Sequence, residues 1–129
     1  MGGAEVWVFE DDPDHVALLK TFCELAGARC AMRILRDRAA VDALFEGAPA
    51  PPAAAVVDSN LIGIGGLEVI ERLRVRYGPA LPVAFYSSTP VRREQEAAVR
   101  AGATRVIEKN FGADGLPELL RDWLAAGEP

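Results

Sequence analysis

The sequence is poor in residues that bind soft metals, since it contains two cysteines and one histidine among 129 residues. Cys23 and Cys30 have no metal-ligand spacing with His15, which argues against a metal site built from these residues. Both cysteines lie in apolar segments, where a thiol packs as a small hydrophobic group. We therefore expect two buried, reduced thiols and a reducing compartment.

The sequence also lacks a basic cluster and a long hydrophobic run. Its 14 lysines and arginines are scattered among 19 acidic residues, and the net charge of −5 disfavours nucleic acid as the main partner. No apolar run approaches the roughly 20 residues that span a bilayer, and no secretory leader opens the chain. These absences predict a soluble, cytoplasmic protein that binds neither nucleic acid nor membrane.

What the sequence does have is a regular alternation of two apolar patterns. Half of the residues are hydrophobic, which is enough for one core, so we expect a single domain over residues 1–129. Five runs have the length of strands: Glu5–Phe9, Arg29–Leu35, Ala54–Val57, Pro82–Tyr86 and Arg105–Glu108. Segments with helical spacing follow them: Val16–Cys23, Val41–Phe45, Leu67–Tyr77, Val91–Val99 and Leu116–Leu124. The alternation predicts an α/β fold, (βα)5, with a doubly wound five-stranded parallel sheet and with Trp7 and Trp123 in its core.

An acidic stretch, E-D-D-P-D from Glu10 to Asp14, follows the first predicted strand. Two carboxylates about 4 Å apart repel each other by roughly 4 kcal/mol at an effective dielectric near 20, so a folded cluster needs a compensating cation. Asp12 is accounted for as the N-cap of a helix that starts at Pro13, and Asp14 by the positive end of that helix. Capping does not explain Glu10 and Asp11.

Polar residues also follow three of the other predicted strands. Glu10 and Asp11 end the first strand, Asp58 the third, Ser87 the fourth and Lys109 the fifth. Ligands of a doubly wound sheet bind beyond the carboxyl ends of its strands, so we expect these side chains on one rim. Carboxylate oxygens are typical Mg²⁺ ligands, and the sequence therefore predicts a Mg²⁺ site on this rim.

Asp58 and Lys109 have the clearest chemical roles on the rim. Asp58 follows an apolar run and precedes a glycine-rich loop, so it is a candidate nucleophile; an aspartate in a turn or cap is the alternative. Lys109 is one of only two lysines, the other being Lys20, in a chain with 12 arginines. A compact ammonium suits a phosphate oxygen, and a chance surface lysine is the alternative.

Together these residues resemble the receiver domains of two-component response regulators, over essentially the whole chain. The motifs in family order are Glu10-Asp11, D-x-N-L-x-G-x-x-G-L-E-V-I from Asp58 to Ile70, Ser87, A-G-A at 101–103, and K-x-F from Lys109 to Phe111. The resemblance implies a flavodoxin-like receiver fold. It also implies that Asp58 accepts a phosphoryl group from the phosphohistidine of a histidine kinase or phosphotransfer protein, and that Mg²⁺ is required.

The resemblance implies a role for each site residue. The implied Mg²⁺ ligands are Glu10, Asp11, Asp58 and the backbone carbonyl of Asn60. Ser87 would bond the phosphoryl group, and Lys109 would pair with it. Such a domain catalyses only its own phosphorylation and dephosphorylation and is not otherwise an enzyme. We expect no attached output domain, and signalling through a partner protein that binds the face of the fourth helix and fifth strand.

The chain departs from the family pattern at four positions. Ile62 replaces a usual proline, Gly65 an Asp or Asn, Val106 the aromatic switch residue, and Asn110 the proline after the lysine. Without an aromatic at Val106, switching must rely on the hydroxyl residues 87–89 and on a shift of a helix that starts at Pro90.

The replacement of proline by Asn110 also affects the backbone. A cis peptide before a residue other than proline costs about 2.5 to 4 kcal/mol, against roughly 0.5 to 1 before proline. We therefore predict a trans Lys109–Asn110 bond, with a lysine stem long enough to reach Asp58.

Three other functions compete with this interpretation. A phosphatase with an aspartyl-phosphate intermediate would need a second acid after Asp58, which the D-S-N segment lacks. A dinucleotide site would need G-x-G-x-x-G in the first βα unit, and Gly63, Gly65 and Glu68 do not provide it. A receiver-like docking module that no longer uses phosphorylation is the main alternative. Loss of an acid, of the acceptor or of the lysine would mark it, and the sequence retains all of them.

Overall fold

The computed structural model describes residues 4–47, 49–88, 91–110 and 115–126, which form seven strands and five helices. The strands are β1 (Glu5–Phe9), β2 (Ala31–Leu35), β3 (Ala54–Asp58), β4 (Asn60–Leu61), β5 (Ile64–Gly65), β6 (Val83–Ser87) and β7 (Arg105–Glu108). The helices are α1 (Pro13–Ala26), α2 (Arg38–Glu46), α3 (Gly66–Tyr77), α4 (Arg92–Ala101) and α5 (Leu116–Ala126). No helix in these ranges is both long and apolar enough to cross a bilayer.

Five of the described strands form one parallel sheet, in the order β2-β1-β3-β6-β7. The chain runs outward from β1 to β2 and then crosses back to β3 on the other side of β1. The predicted doubly wound parallel sheet is therefore confirmed. Its strand order reverses between β1 and β3, which is where a fold of this kind binds its ligand.

The boundaries of three strands differ from the predicted ones by one or two residues, and polar residues extend two of these strands by one residue each. Asp58 belongs to β3 and pairs with Tyr86, while Ser87 belongs to β6 and pairs with Glu108. β2 begins two residues later than predicted. Two of the predicted site residues are thus held by the sheet itself and not by a loop.

Side chains of β1 alternate between two apolar cores, one on each face of the sheet. Trp7 and Phe9 pack in the core that α2, α3 and α4 cover, and Val6 and Val8 pack in the core that α1 and α5 cover. Trp7 is fully buried, and the half-buried Trp123 packs against the second core, as predicted. Helices cover both faces of the sheet, and every residue of β3 and β6 is buried.

The two cysteines differ in exposure. Cys23 is buried in the core under α1, but Cys30 is only half-buried, so the prediction of two buried thiols is wrong for Cys30. Cys30 precedes β2, which is an edge strand and has a neighbour on one side only. Neither cysteine forms a disulfide.

A short antiparallel ribbon that the sequence analysis does not predict follows Asp58. In it β4 pairs with β5, and Gly63 makes the turn between them with a φ of 81° that favours glycine. Gly66 then starts α3 directly beside Asp58, where a Cβ would overlap the Asp58 carbonyl oxygen. The glycine-rich sequence therefore lets the chain turn sharply and return along the end of β3.

Candidate functional site

The predicted site residues lie together at the carboxyl end of the parallel sheet. Phe9 of β1 pairs with Val57 of β3, so the residues that follow them, Glu10 and Asp58, lie side by side at the switch point. They share a cleft of about 370 Å³, whose lining includes Glu10, Asp11, Asp58, Asn60, Ser87 and Lys109. Glu10, Asp58 and Ser87 are the buried polar or charged residues within the described ranges. The sheet therefore carries its buried polarity at this one edge.

Lys109 is the lysine of the cleft, and its side chain is 4% exposed. Its Nζ lies 2.7 Å from Asp58 Oδ1 and 2.8 Å from Glu10 Oε1, and 5.3 Å from the centre of the Tyr86 ring. Burial lowers the pKa of Lys109, but the hydrogen bonds to Asp58 and Glu10 outweigh burial and hold the pKa above its ordinary value. Lys109 is therefore a fixed positive charge between two carboxylates.

Glu10 is the most constrained carboxylate of the cleft. Burial raises its pKa, the Lys109 hydrogen bond opposes that shift, and the charge of Asp58 adds to it. Its Oε2 accepts hydrogen bonds from the backbone amides of Asp11 and Asp12, at 3.1 and 3.3 Å. The turn between β1 and α1 therefore holds Glu10 in place.

Three carboxylates of the cleft are close enough to hold one cation. Glu10, Asp11 and Asp58 each offer an oxygen atom, and these atoms all lie within 4.8 Å of one another. Asn60 is exposed, and its backbone amide donates to Asp58 Oδ2 at 3.4 Å. Several hard oxygen donors with open access to solvent suit Mg²⁺, which keeps part of its water shell when it binds to proteins.

His15 belongs to the cleft and was not predicted as a site residue. Its Nδ1 lies 3.2 Å from both Glu10 Oε1 and Lys109 Nζ, and its Nε2 lies 3.3 Å from Asp12 Oδ2. Asp12 is the N-cap of α1, as predicted, and accepts a hydrogen bond from the Asp14 amide at 2.9 Å. The cap places the first turn of α1, and with it His15, against the acidic cluster. The predicted N-cap, Asp12, was the one sequence signal that could have placed His15 beside the acidic cluster.

Glu94 was also not predicted as a site residue. It lies in the first turn of α4 and lines the cleft together with Asp58, Ser87 and Ser88. The structure starts α4 at Arg92, and the predicted start at Pro90, like the third predicted hydroxyl residue Thr89, lies outside the described residues.

The segment after β7, which is the fifth strand of the main sheet along the chain, contains Lys109 and its peptide bond to Asn110. The described residues contain no cis peptide bond, so Lys109–Asn110 is trans, as predicted, and the lysine still reaches Asp58. Val106 is half-buried against the core that α2, α3 and α4 cover. Phe111 of the K-x-F motif lies outside the described residues.

Comparisons with known proteins bear on the family and the fold of this chain. The family model of the response regulator receiver domain matches residues 6–121. The transcriptional regulatory protein TctD of Salmonella typhimurium is 33% identical over 95 residues, which cover 68% of this chain and 42% of TctD. The chain therefore spans less than half the length of this relative.

Solved structures of receiver domains share the fold at low sequence identity. The receiver domain of a DNA-binding response regulator (merR) from Colwellia psychrerythraea 34H has a TM-score of 0.80 at 15% identity, covering 95% of this chain and 98% of that one. The receiver domain of the sensor histidine kinase PA1611 from Pseudomonas aeruginosa PAO1, with a magnesium ion in its active-site cleft, has a TM-score of 0.77 at 18% identity, covering 96% and 99%. The fold is thus the flavodoxin-like receiver fold, and the chain belongs to the receiver-domain family of two-component response regulators.

Proposed function

We propose that this domain is a phosphorylation switch in which Asp58 accepts a phosphoryl group from the phosphohistidine of a histidine kinase or phosphotransfer protein. The single observation that carries the proposal is the position of Asp58. It lies at the switch point of the sheet, in an open cleft, with Lys109 Nζ 2.7 Å from its Oδ1 and two further acids beside it.

The donor set of the cleft fits Mg²⁺. Glu10, Asp11 and Asp58 would hold the ion, with the backbone carbonyl of Asn60 as a further ligand, and the magnesium in the related PA1611 receiver domain supports this assignment. When bound, the ion offsets negative charge on the transferring phosphoryl group.

The residues of the chain supply the remaining steps. An oxygen of Asp58 attacks phosphorus, the P–N bond to the donor imidazole breaks with its electron pair going to the imidazole nitrogen, and an aspartyl phosphate forms. Lys109 is already charged and placed beside Asp58, so its ammonium pairs with a phosphoryl oxygen with little reorganisation. The Ser87 hydroxyl, at the end of the neighbouring strand, donates a hydrogen bond to a second phosphoryl oxygen. Hydrolysis of the acyl phosphate returns Asp58 to its first state, so the domain catalyses only its own phosphorylation and dephosphorylation.

The output of the switch is proposed to be a protein partner that binds the face of α4 and β7. α4 follows β6 directly from the cleft and carries a charged exterior, with Arg92, Arg93, Glu96 and Arg100 exposed. Exposed charges on a helix also serve solubility, through pairs such as Arg92 and Glu96 at 3.1 Å. The location beside the cleft is what favours a signalling role for this face.

The test uses acetyl phosphate as the phosphodonor. With Mg²⁺ present, the protein should gain the mass of one phosphoryl group, and Asp58→Asn should abolish this gain. Asp122→Asn, which changes an exposed acid of α5, is the matched control and should leave it intact. Chelation of Mg²⁺ should also prevent the gain. Phosphorylation of Asp58→Asn at the wild-type rate would contradict the proposal.

A further inference from the structure

One acid of the cleft has no part in the chemistry proposed above. Glu94 lines the cleft together with Asp58 and Ser87. Its Oε1 is buried and accepts no hydrogen bond from any residue in the described part of the chain. An acid in the first turn is favoured by the positive end of a helix, but buried oxygen atoms in folded proteins nearly always have a partner. The positive end of the helix therefore accounts for an acid at this position, but not for a buried oxygen atom without a partner in the cleft that holds Asp58.

The helix that carries Glu94 is held unevenly. At its start the N-cap residue, Val91, is exposed and gives no side-chain hydrogen bond, whereas Asp12 and Asp37 cap α1 and α2 with their carboxylates. The one buried residue of α4 is Ala98, in its second half. The first turn of α4 is therefore the weakly held end.

The other end of α4 is tied to α3. The amide of Gly102 donates to the carbonyl oxygens of Ala98 and Val99, at 3.1 and 3.0 Å. The guanidinium of Arg74 donates to the Gly102 carbonyl from Nε and Nη2, at 2.8 and 2.6 Å. A force on the first turn would therefore tilt α4 about the segment from Ala98 to Gly102.

The structure also lacks the usual aromatic route from the cleft to this helix. Val106 of β7 is half-buried in the core that α4 covers, and it has no ring whose rotation could follow phosphorylation. A side chain at the start of α4 that responds directly to the phosphoryl group would not need such a ring.

We propose that Glu94 converts phosphorylation of Asp58 into a displacement of the start of α4 through repulsion between like charges, with α4 tilting about Ala98 to Gly102. The inference rests on the proposed phosphorylation of Asp58. A phosphoryl group brings a charge of about −1.5 to −2, and a neighbouring carboxylate is repelled by it. Lys109 neutralises part of this charge but lies on the Glu10 side of Asp58. The free energy that moves the helix is taken from the affinity of the cleft for the phosphoryl group, since the two are linked.

This linkage gives the inference a test with two readouts. The probe is beryllofluoride with Mg²⁺, a mimic of the phosphoryl group, and the readouts are its dissociation constant and the amide shifts that it causes in α4. Glu94→Gln removes the charge with little change of shape. It should bind the probe roughly three- to tenfold more tightly and lose most of the α4 shifts.

Glu96→Gln is the matched control, because it makes the same change two residues further along α4, on the exposed face, where Glu96 pairs with Arg92. It should behave like the wild type. Glu94→Ala should repeat the result of Glu94→Gln, and Glu94→Asp, which retains the charge, should retain the α4 shifts.

Two outcomes would overturn the inference. One is a Glu94→Gln variant that matches Glu96→Gln in both readouts, and the other is tighter binding with the α4 shifts unchanged. Failure of the proposed function would give a different experimental result. In that case the wild type neither binds the probe nor gains mass from acetyl phosphate, and the inference falls with it.

Discussion

Lys109 shows how a single residue is selected by its surroundings. The chain uses arginine at 12 of its 14 basic positions, yet lysine fills the narrow space between Asp58, Glu10 and Tyr86. A guanidinium is larger and planar, and a space that is 4% exposed leaves little room for it. The sequence count and the geometry thus point to the same requirement for a compact cation.

Lys109→Arg should therefore strain the cleft. Forcing a larger group into a packed site costs about 1–3 kcal/mol, and chemical denaturation should show this loss of unfolding free energy. The phosphorylation of Asp58 should survive, because the positive charge is retained, while phosphorylation-dependent binding of a partner should weaken.

Lys20→Arg is the matched control for this change, since Lys20 is the other lysine and is exposed on α1. Its unfolding free energy should stay within about 0.5 kcal/mol of the wild type. Equal unfolding free energies of Lys109→Arg and Lys20→Arg, together with unchanged partner affinity, would show that Lys109 does not sense the phosphoryl group.

Among the elements, α3 and α4 are joined by one half-buried cation, Arg74. The Nη1 atom of Arg74 donates to the carbonyl oxygens of Gly78 and Leu81 at 2.9 and 2.6 Å, in addition to its two hydrogen bonds to Gly102. Burial lowers the pKa of Arg74, because desolvation disfavours its charge. Positive charge at helix C-termini is favourable, and here one guanidinium serves two of them.

Arg74→Met should loosen this junction, since it keeps the apolar stem and removes every donor. We expect a loss of about 1–3 kcal/mol of unfolding free energy, because the part-buried carbonyl oxygens of Gly78, Leu81 and Gly102 lose their donors. Arg100→Met, at an exposed position of α4, is the control and should change stability little. Hydrogen exchange should be faster for the amides of Gly102 and Ala103 in Arg74→Met, and an unchanged rate would contradict the assigned role.

The elements also show where sequence reasoning works and where it stops. Apolar runs of strand length such as Ala54–Val57 have a clear pattern, so the five strands of the main sheet could be predicted along with the polar residues at the ends of four of them. The β4–β5 ribbon consists of two-residue strands, which show no periodicity. His15 and Glu94 were not predicted, because their places in the cleft depend on contacts between distant parts of the chain. His15, for example, contacts Lys109, which is 94 residues away in the sequence.

At the scale of the whole molecule, the acidic cleft couples stability to divalent cations. Glu10, Asp11 and Asp58 cluster in the folded state and Lys109 pairs with two of them, so a bound cation would relieve repulsion in the folded state only. At ten times its dissociation constant, Mg²⁺ should add about 1.4 kcal/mol of stability and raise the melting temperature by about 4–8 °C.

Thermal unfolding with and without Mg²⁺ measures this shift. Asp11→Asn should reduce it strongly, and Asp42→Asn, which changes an acid of α2 that pairs with Arg72, is the control that should retain it. The same shift in both variants would place the cation outside the cleft.

The parallel sheet also has a second end, where these experiments change only α3 and α4, at Arg74 and Arg100. Its turns at residues 27–30, 78–82 and 102–104 connect helices back to strands, and each begins with a glycine at positive φ. They lie at the opposite pole from the cleft, because every strand of a parallel sheet points the same way. The turn at residues 27–30 is the place at that pole for a protein engineer to attach a dye or insert a reporter, since a label there would follow the proposed switch without obstructing the phosphodonor or the Arg74 junction.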